Sequence, residues 1–158
     1  MNHSSKIAYA LASSIGDKVE FSRAQLVPEL LVTDIAVSLK FWVDVCGFSV
    51  RYSREADGFF YLDLAGAQVM LVEARGENGW ITAPLDAPLG RGINFEIKVA
   101  AVEPILAVLE AASWPLFRPV QEQWYRSGAL EIGVREFLVQ DPDGYLLRFS
   151  AKIGERPH

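Results

Sequence analysis

The sequence predicts an α+β fold: two βαβββ modules forming a curved mixed sheet with a concave trough. Three observations carry that expectation. A strand pattern, a helix pattern and three further short strand patterns follow one another from Val27 to Glu73, and the same order recurs from Ile93 to Ser150. Val32 and Val99, each closing the first strand of its half, correspond at an offset of about 67 residues, as an internal duplication would place them. A Pro/Gly-rich stretch, TAPLDAPLGRG, separates the halves. The expected organisation is an N-terminal arm at 1–25, a single domain at 26–151 with modules at about 26–75 and 91–151, and a C-terminal tail at 152–158.

In the first half, Val27 to Val32 is the opening strand. Asp34 offers an N-cap, and the helix pattern runs from Ile35 to Cys46 with Leu39, Trp42 and Cys46 on one face. Gly47 suits the residue just past the helix end, where a left-handed backbone is needed. Phe48 to Ser53, Gly58 to Leu64 and Ala67 to Glu73 then read as three antiparallel strands. In the second half, Ile93 to Val99 alternates apolar and polar residues, and Pro104 suits the first turn of a helix whose apolar positions include Ile105, Leu109 and Ala112. Leu116 to Val120 reads as a short strand, Trp124 and Tyr125 as part of a polar loop, and Arg135 to Val139 as the next strand. DPDG supplies type I turn chemistry before Tyr145 to Ser150.

Bulk composition narrows the function. A chain of 158 residues with 51% hydrophobic and 22% charged residues can fill a core. Its net charge of −5, with Lys and Arg scattered, leaves no footprint for nucleic acid. The two histidines, His3 and His158, sit at the termini, so the body lacks imidazole. That excludes Ser-His-Asp and Cys-His chemistry, and histidine-bound metal, from the body. Cys46, the single cysteine, reads as a buried inert thiol in a reducing compartment. The apolar run Ile7 to Ala12 is too short to span a bilayer. A cytoplasmic protein with no membrane and no nucleic-acid partner is expected.

Strand parity assigns side chains to faces. If Phe95, Ile97 and Val99 lie under the helices, Asn94, Glu96 and Lys98 point into the trough. By the same rule Leu30 and Val32 go under the first helix, leaving Val27, Glu29 and Leu31 in the trough. Phe59, Tyr61 and Asp63 turn inward, opposite Phe60, Leu62 and Leu64. Arg148, out of phase with Leu147 and Phe149, lines the trough as well.

The segments VPELLVTDIAVSLKFWVDVCGFSV, GFFYLDLAGAQVMLVE and REFLVQDPDGYLLRF, in this paired order, resemble the vicinal oxygen chelate superfamily, also called the glyoxalase/bleomycin resistance/dioxygenase superfamily. The resemblance covers roughly Leu26 to Ala151. It implies that a metalloenzyme of the family would hold its metal at Val27, at Met70 or Leu71, at Asn94 and at Arg148. Val, Met and Leu do not suit such a cation, Asn is a weak ligand, and Arg has no acceptor. No metal and no cofactor is therefore expected. The pattern is similar to the bleomycin resistance proteins, the non-catalytic branch, which implies a homodimer sequestering a small molecule in grooves at the subunit interface. Where those proteins carry a Pro-Trp-Gly-type stretch before Arg-Glu-Phe, this chain has ALEIGV.

The expected ligand-binding residues are Glu29, Phe59, Tyr61, Asp63, Asn94, Glu96, Trp124, Tyr125 and Arg148, with no catalytic residue. Glu29, Asp63 and Glu96 would hold a cationic group; for Glu96 the alternative is pairing with Arg148 or Lys98. Phe59 and Tyr61 would stack on a planar group or else pack across a dimer interface. Trp124 and Tyr125, as loop aromatics, suggest binding or an interface. Arg135 and Glu136 match a family motif and brace their strand. The alternative function is a lyase, isomerase or dioxygenase with a carboxylate-only metal site or a metal-free Tyr61/Asp63 acid–base pair.

Overall fold

The computed structural model describes residues 21–76 and 80–158. Expectations for the first twenty residues of the N-terminal arm lie outside the described residues. The fold is α+β, two βαβββ modules with one four-stranded mixed sheet each.

The first module holds β1 (Glu29–Val32), α1 (Ile35–Leu39), β2 (Ser49–Arg54), β3 (Phe59–Leu64) and β4 (Ala67–Glu73). α1 begins as the Asp34 cap requires, with the Val37 amide donating to Asp34 Oδ1 at 3.0 Å. It then widens into a π-helical segment, Lys40–Val45, so the predicted helix is continuous but changes its winding halfway. The sheet order is β1-β4-β3-β2, with β1 and β4 parallel. Ala65 and Gly66, both at positive φ, form the two-residue turn that sets Leu64 opposite Ala67.

The second module repeats the arrangement with β5 (Asn94–Lys98), α2 (Glu103–Ala111), β6 (Leu116–Ser127), β7 (Leu130–Gln140) and β8 (Leu146–Pro157), ordered β5-β8-β7-β6. Two expectations fail here. The loop predicted to hold Trp124 and Tyr125 is β strand, because β6 continues from Leu116 to Ser127 with both residues paired to β7. Residues 152–157, expected to form a tail, continue β8 and pair with Leu130 to Val134. Ladder hydrogen bonds made far along the chain override the polar composition that suggested loop and tail.

One buried cluster joins the halves. Leu30, Val32, Leu39, Phe41, Trp42, Leu62 and Leu71 of the first module share it with Ile97, Val102, Leu109, Phe137, Val139, Leu147 and Phe149 of the second. The strand alternation holds: Leu62 and Ile97 belong to this cluster and Phe60, Leu64, Phe95 and Val99, half-buried, pack against it, whereas Phe59, Tyr61, Asn94 and Glu96 lie outside it. Removing side chains of this size from water contributes about 1.5–3 kcal/mol each.

The DPDG turn fastens the modules to each other. Asp141 Oδ1 accepts from the amides of Asp143 and Tyr145, and its Oδ2 accepts from Trp42 Nε1 at 3.1 Å. Asp143 Oδ1 accepts from the Thr33 amide and hydroxyl, and Tyr145 donates its hydroxyl to the Leu31 carbonyl. The turn therefore shapes the start of β8 and anchors the helix and first strand of the other module.

Candidate ligand-binding site

Apart from Trp124, the predicted site residues fall into two groups, one on the mixed face of each sheet. Among the described residues, no hydrogen bond links the side chains of one mixed face to those of the other.

On the second sheet, Glu96 and Arg148 are direct neighbours on the parallel β5–β8 pair. Arg148 Nη2 donates to Glu96 Oε2 at 2.9 Å, and Ser150 Oγ donates to Glu96 Oε1 at 3.1 Å. Of the two roles considered for Glu96, pairing with Arg148 is thus realised. Lys98, the other partner considered, makes no ion pair among the described residues. Beside the pair lies Glu136 of β7, with only 2% of its side chain exposed. Its Oε1 accepts from the Tyr125 hydroxyl at 2.8 Å and from Gln121 Nε2 at 3.4 Å. The hydrogen bond to Glu136, more than burial, holds the Tyr125 hydroxyl above its ordinary pKa. Among the described residues, two buried side-chain atoms have no hydrogen-bond partner: Glu136 Oε2 and Arg148 Nε. Arg148 Nη1 stands 3.8 Å from Glu136 Oε2, too far for a good hydrogen bond.

Glu136 is the residue the sequence reading left out of the site. The parity that placed Arg148 would have found it, since Phe137 and Val139 enter the core and Glu136 must face the other way. Trp124 and Tyr125 are successive on one strand and so point to opposite faces. Tyr125 joins Glu136, whereas the Trp124 indole lies over Gly133 and Gly154 with the Arg156 guanidinium 4.1 Å from its ring centre.

On the first sheet, Tyr61 is fully buried and stacked on Tyr52 at 5.1 Å between ring centres, and Phe59 lies 5.7 Å from the same Tyr52. Residues at the end of the arm cover this face. Phe21 meets Tyr61 edge-on at 5.1 Å, and the Arg23 guanidinium sits 5.2 Å from the Tyr61 ring centre. Gln68 ties the pieces together: its Oε1 accepts from the Tyr61 hydroxyl and the Ala24 amide, and its Nε2 donates to the Ser22 carbonyl and to Asp63 Oδ1. Gln68 therefore stands between Tyr61 and Asp63, which do not touch as an acid–base pair would.

Glu29 is exposed on β1 opposite Met70. Asn94 is exposed on β5 and lines a groove of about 430 Å³ together with Phe95, Glu96 and Ile97. Its remaining walls come from the first module: Ala24, Leu26 and Pro28 before β1, Trp42 and Phe48 around the helix end, and Gly66 to Val69. The groove is mostly apolar, with Glu96, Asn94 and Gln68 supplying polar groups.

The profile of the Glyoxalase/Bleomycin resistance protein/Dioxygenase superfamily matches residues 24–149, and the chain belongs to that superfamily. Bleomycin resistance proteins from Geobacillus stearothermophilus and Staphylococcus aureus are 27% identical to it over 140 residues, covering 82% of this chain and 97% of theirs. The structure of TioX from Micromonospora sp. ML1 is similar at a TM-score of 0.61 and 25% identity, covering 82% of this chain and 99% of that one. Lactoylglutathione lyase from Agrobacterium tumefaciens shares the fold at a TM-score of 0.53 and 17% identity, with 81% and 92% of the two chains covered.

The sequence resemblance would put the superfamily's metal-ligand positions at Val27, at Met70 or Leu71, at Asn94 and at Arg148. This donor set does not fit a divalent ion, because Arg148 offers only donors and a positive charge. Among the described residues no group of three or more His, Cys, Asp or Glu is placed to hold one. Cys46 is buried, and burial, reinforced by Asp141, pushes its thiol up, away from the nucleophilic thiolate. Among the described residues no helix is long and apolar enough to cross a membrane.

Proposed function

We propose that this protein binds a bulky aromatic or cationic small molecule without transforming it, in a groove completed at the interface of a homodimer. The supporting observation is that Arg148, at a position the resemblance would assign to a metal ligand, is a cation already paired with Glu96. What surrounds that position suits capture instead. An apolar groove with Glu96, Asn94 and Gln68 on its walls provides shape and a few polar anchors, which is what small-molecule binding requires. The likeness to bleomycin resistance proteins agrees with this reading. A metal-free Tyr61/Asp63 mechanism has less support, since Tyr61 is enclosed and hydrogen-bonded to Gln68.

Native mass spectrometry of the freshly purified full chain tests the reading directly. A dimer carrying a co-purified organic compound is expected, as is a change in tryptophan fluorescence when a bleomycin-class compound is added in the presence of chelator. Unchanged fluorescence and melting temperature, together with a ligand-free monomer, would overturn it.

A further inference from the structure

The two buried atoms without partners belong to neighbours. Glu136 Oε2 lacks a donor and Arg148 Nε lacks an acceptor, while Arg148 Nη1 and Glu136 Oε2 are 3.8 Å apart. Leaving such groups unmatched in a low-dielectric setting is costly, and a small shift of one guanidinium would correct both. Arg148 is held back by Glu96, which it meets at 2.9 Å on the more exposed side. The cluster therefore has two carboxylates competing for one cation, and it is short of one positive charge. Lys98, next on the same face of β5, is not paired with either carboxylate.

Glu96 also borders the 430 Å³ groove, whose walls include Leu26, Pro28, Trp42, Phe48 and Val69. Glu96 is the one acidic residue among those lining this groove, and its side chain is about 41% exposed, so it is the partner open to a positive group carried by an apolar or aromatic body bound there.

Resting on the capture function above, we propose that the groove selects compounds bearing an amidinium, guanidinium or ammonium group, and that Arg148 is a displaceable internal cation. The ligand cation takes Glu96, and Arg148 moves onto Glu136, satisfying both orphaned atoms. Glu96 is the specificity-determining contact; Glu136 is a positioning residue that receives the released arginine.

The probes are 2-naphthamidine and its neutral isostere 2-naphthamide, titrated calorimetrically into the full-length protein, with the Arg148 Nε–H resonance followed by NMR and assigned by its loss in R148K. The amidine is expected to bind about tenfold more tightly than the amide, the scale of one charge-assisted hydrogen bond. E96Q should abolish that preference while still binding the amide. In wild type the Nε–H signal should move downfield on adding amidine; in E136Q it should not, and amidine affinity should fall. Far-ultraviolet circular dichroism of both variants checks that they fold, and R148K with retained amidine binding to Glu96 serves as a second test should E136Q fail to fold. Equal binding of the two probes to wild type would overturn the charge selection while leaving capture itself standing. An amidine preference retained in E96Q, an unmoved Nε–H signal, or no binding of either probe would also overturn it. A co-purified compound lodged elsewhere would then still support capture.

Discussion

Asp141 shows how one side chain can set both a turn and a pH response. It is buried where the modules meet, and burial pushes its carboxyl up to about 6, against the pull of the Trp42 indole and the Tyr145 amide. Its folded pKa lies above the ordinary value of 3.8, so the folded state binds the proton more readily. Stability attached to Asp141 therefore increases as pH falls from about 6 toward 4, by an amount on the order of 3 kcal/mol. Glu73, Glu103 and Glu131 behave oppositely. Hydrogen bonds from Arg75, from the Glu103 amide and from Arg156 respectively hold them below 4.5, so what they contribute is present above that pH and lost below it. The melting temperature should rise from about pH 7 to about pH 5 and decline below about pH 4. Asp141→Asn should remove the rise and keep the decline; a variant with an unaltered profile would assign the rise to another group. Trp42→Phe deletes one donor to the same carboxylate and should destabilise the fold by about 1–3 kcal/mol in urea denaturation.

At the scale of elements, the long strands of the second module depend on a close approach the local sequence barely signals. The Trp124 indole rests on Gly133, where an added Cβ would come within 2.8 Å of the ring, and the floor continues across Gly154. Gly133→Ala should force the indole to shift, costing about 1–3 kcal/mol and altering tryptophan emission. Combining it with Trp124→Ala should make the glycine change nearly neutral, since the clash has then gone; a persistent penalty would place the strain elsewhere. The same elements show what sequence pattern could reach. Helix, turn and most strands followed from caps, alternation and turn residues, because these act over a few positions. The outer parts of β6 and β8 did not, because EQWYRSG and KIGERP have no apolar face of their own and become strand only by pairing with β7.

For the whole molecule, the decisive feature is the shared core. Helices and apolar sheet faces of both modules join one buried cluster, reinforced by the Trp42–Asp141 and Thr33–Asp143 hydrogen bonds. Neither module can lose its packing without exposing the other, so unfolding should be a single cooperative transition with fluorescence and circular dichroism coincident. Two resolved transitions would show that the modules are independent. Because the cluster uses the apolar faces, the carboxylates, Arg148 and stacked aromatics of the mixed faces lie outside it. One mixed face is partly covered by Phe21 and Arg23.

From sequence alone came the module order and, for the strands around Leu30, Leu62, Ile97 and Phe149, which side chains enter the core. Alternation and residue chemistry are local properties, readable without coordinates. Only the tertiary structure decided which side chains meet: that Gln68 separates Tyr61 from Asp63, that Trp124 turns away from Tyr125, and that Glu136 Oε2 is left without a hydrogen bond 3.8 Å from an arginine held by Glu96. Those outcomes depend on register between strands distant in sequence, and on burial that leaves particular atoms without water or a partner.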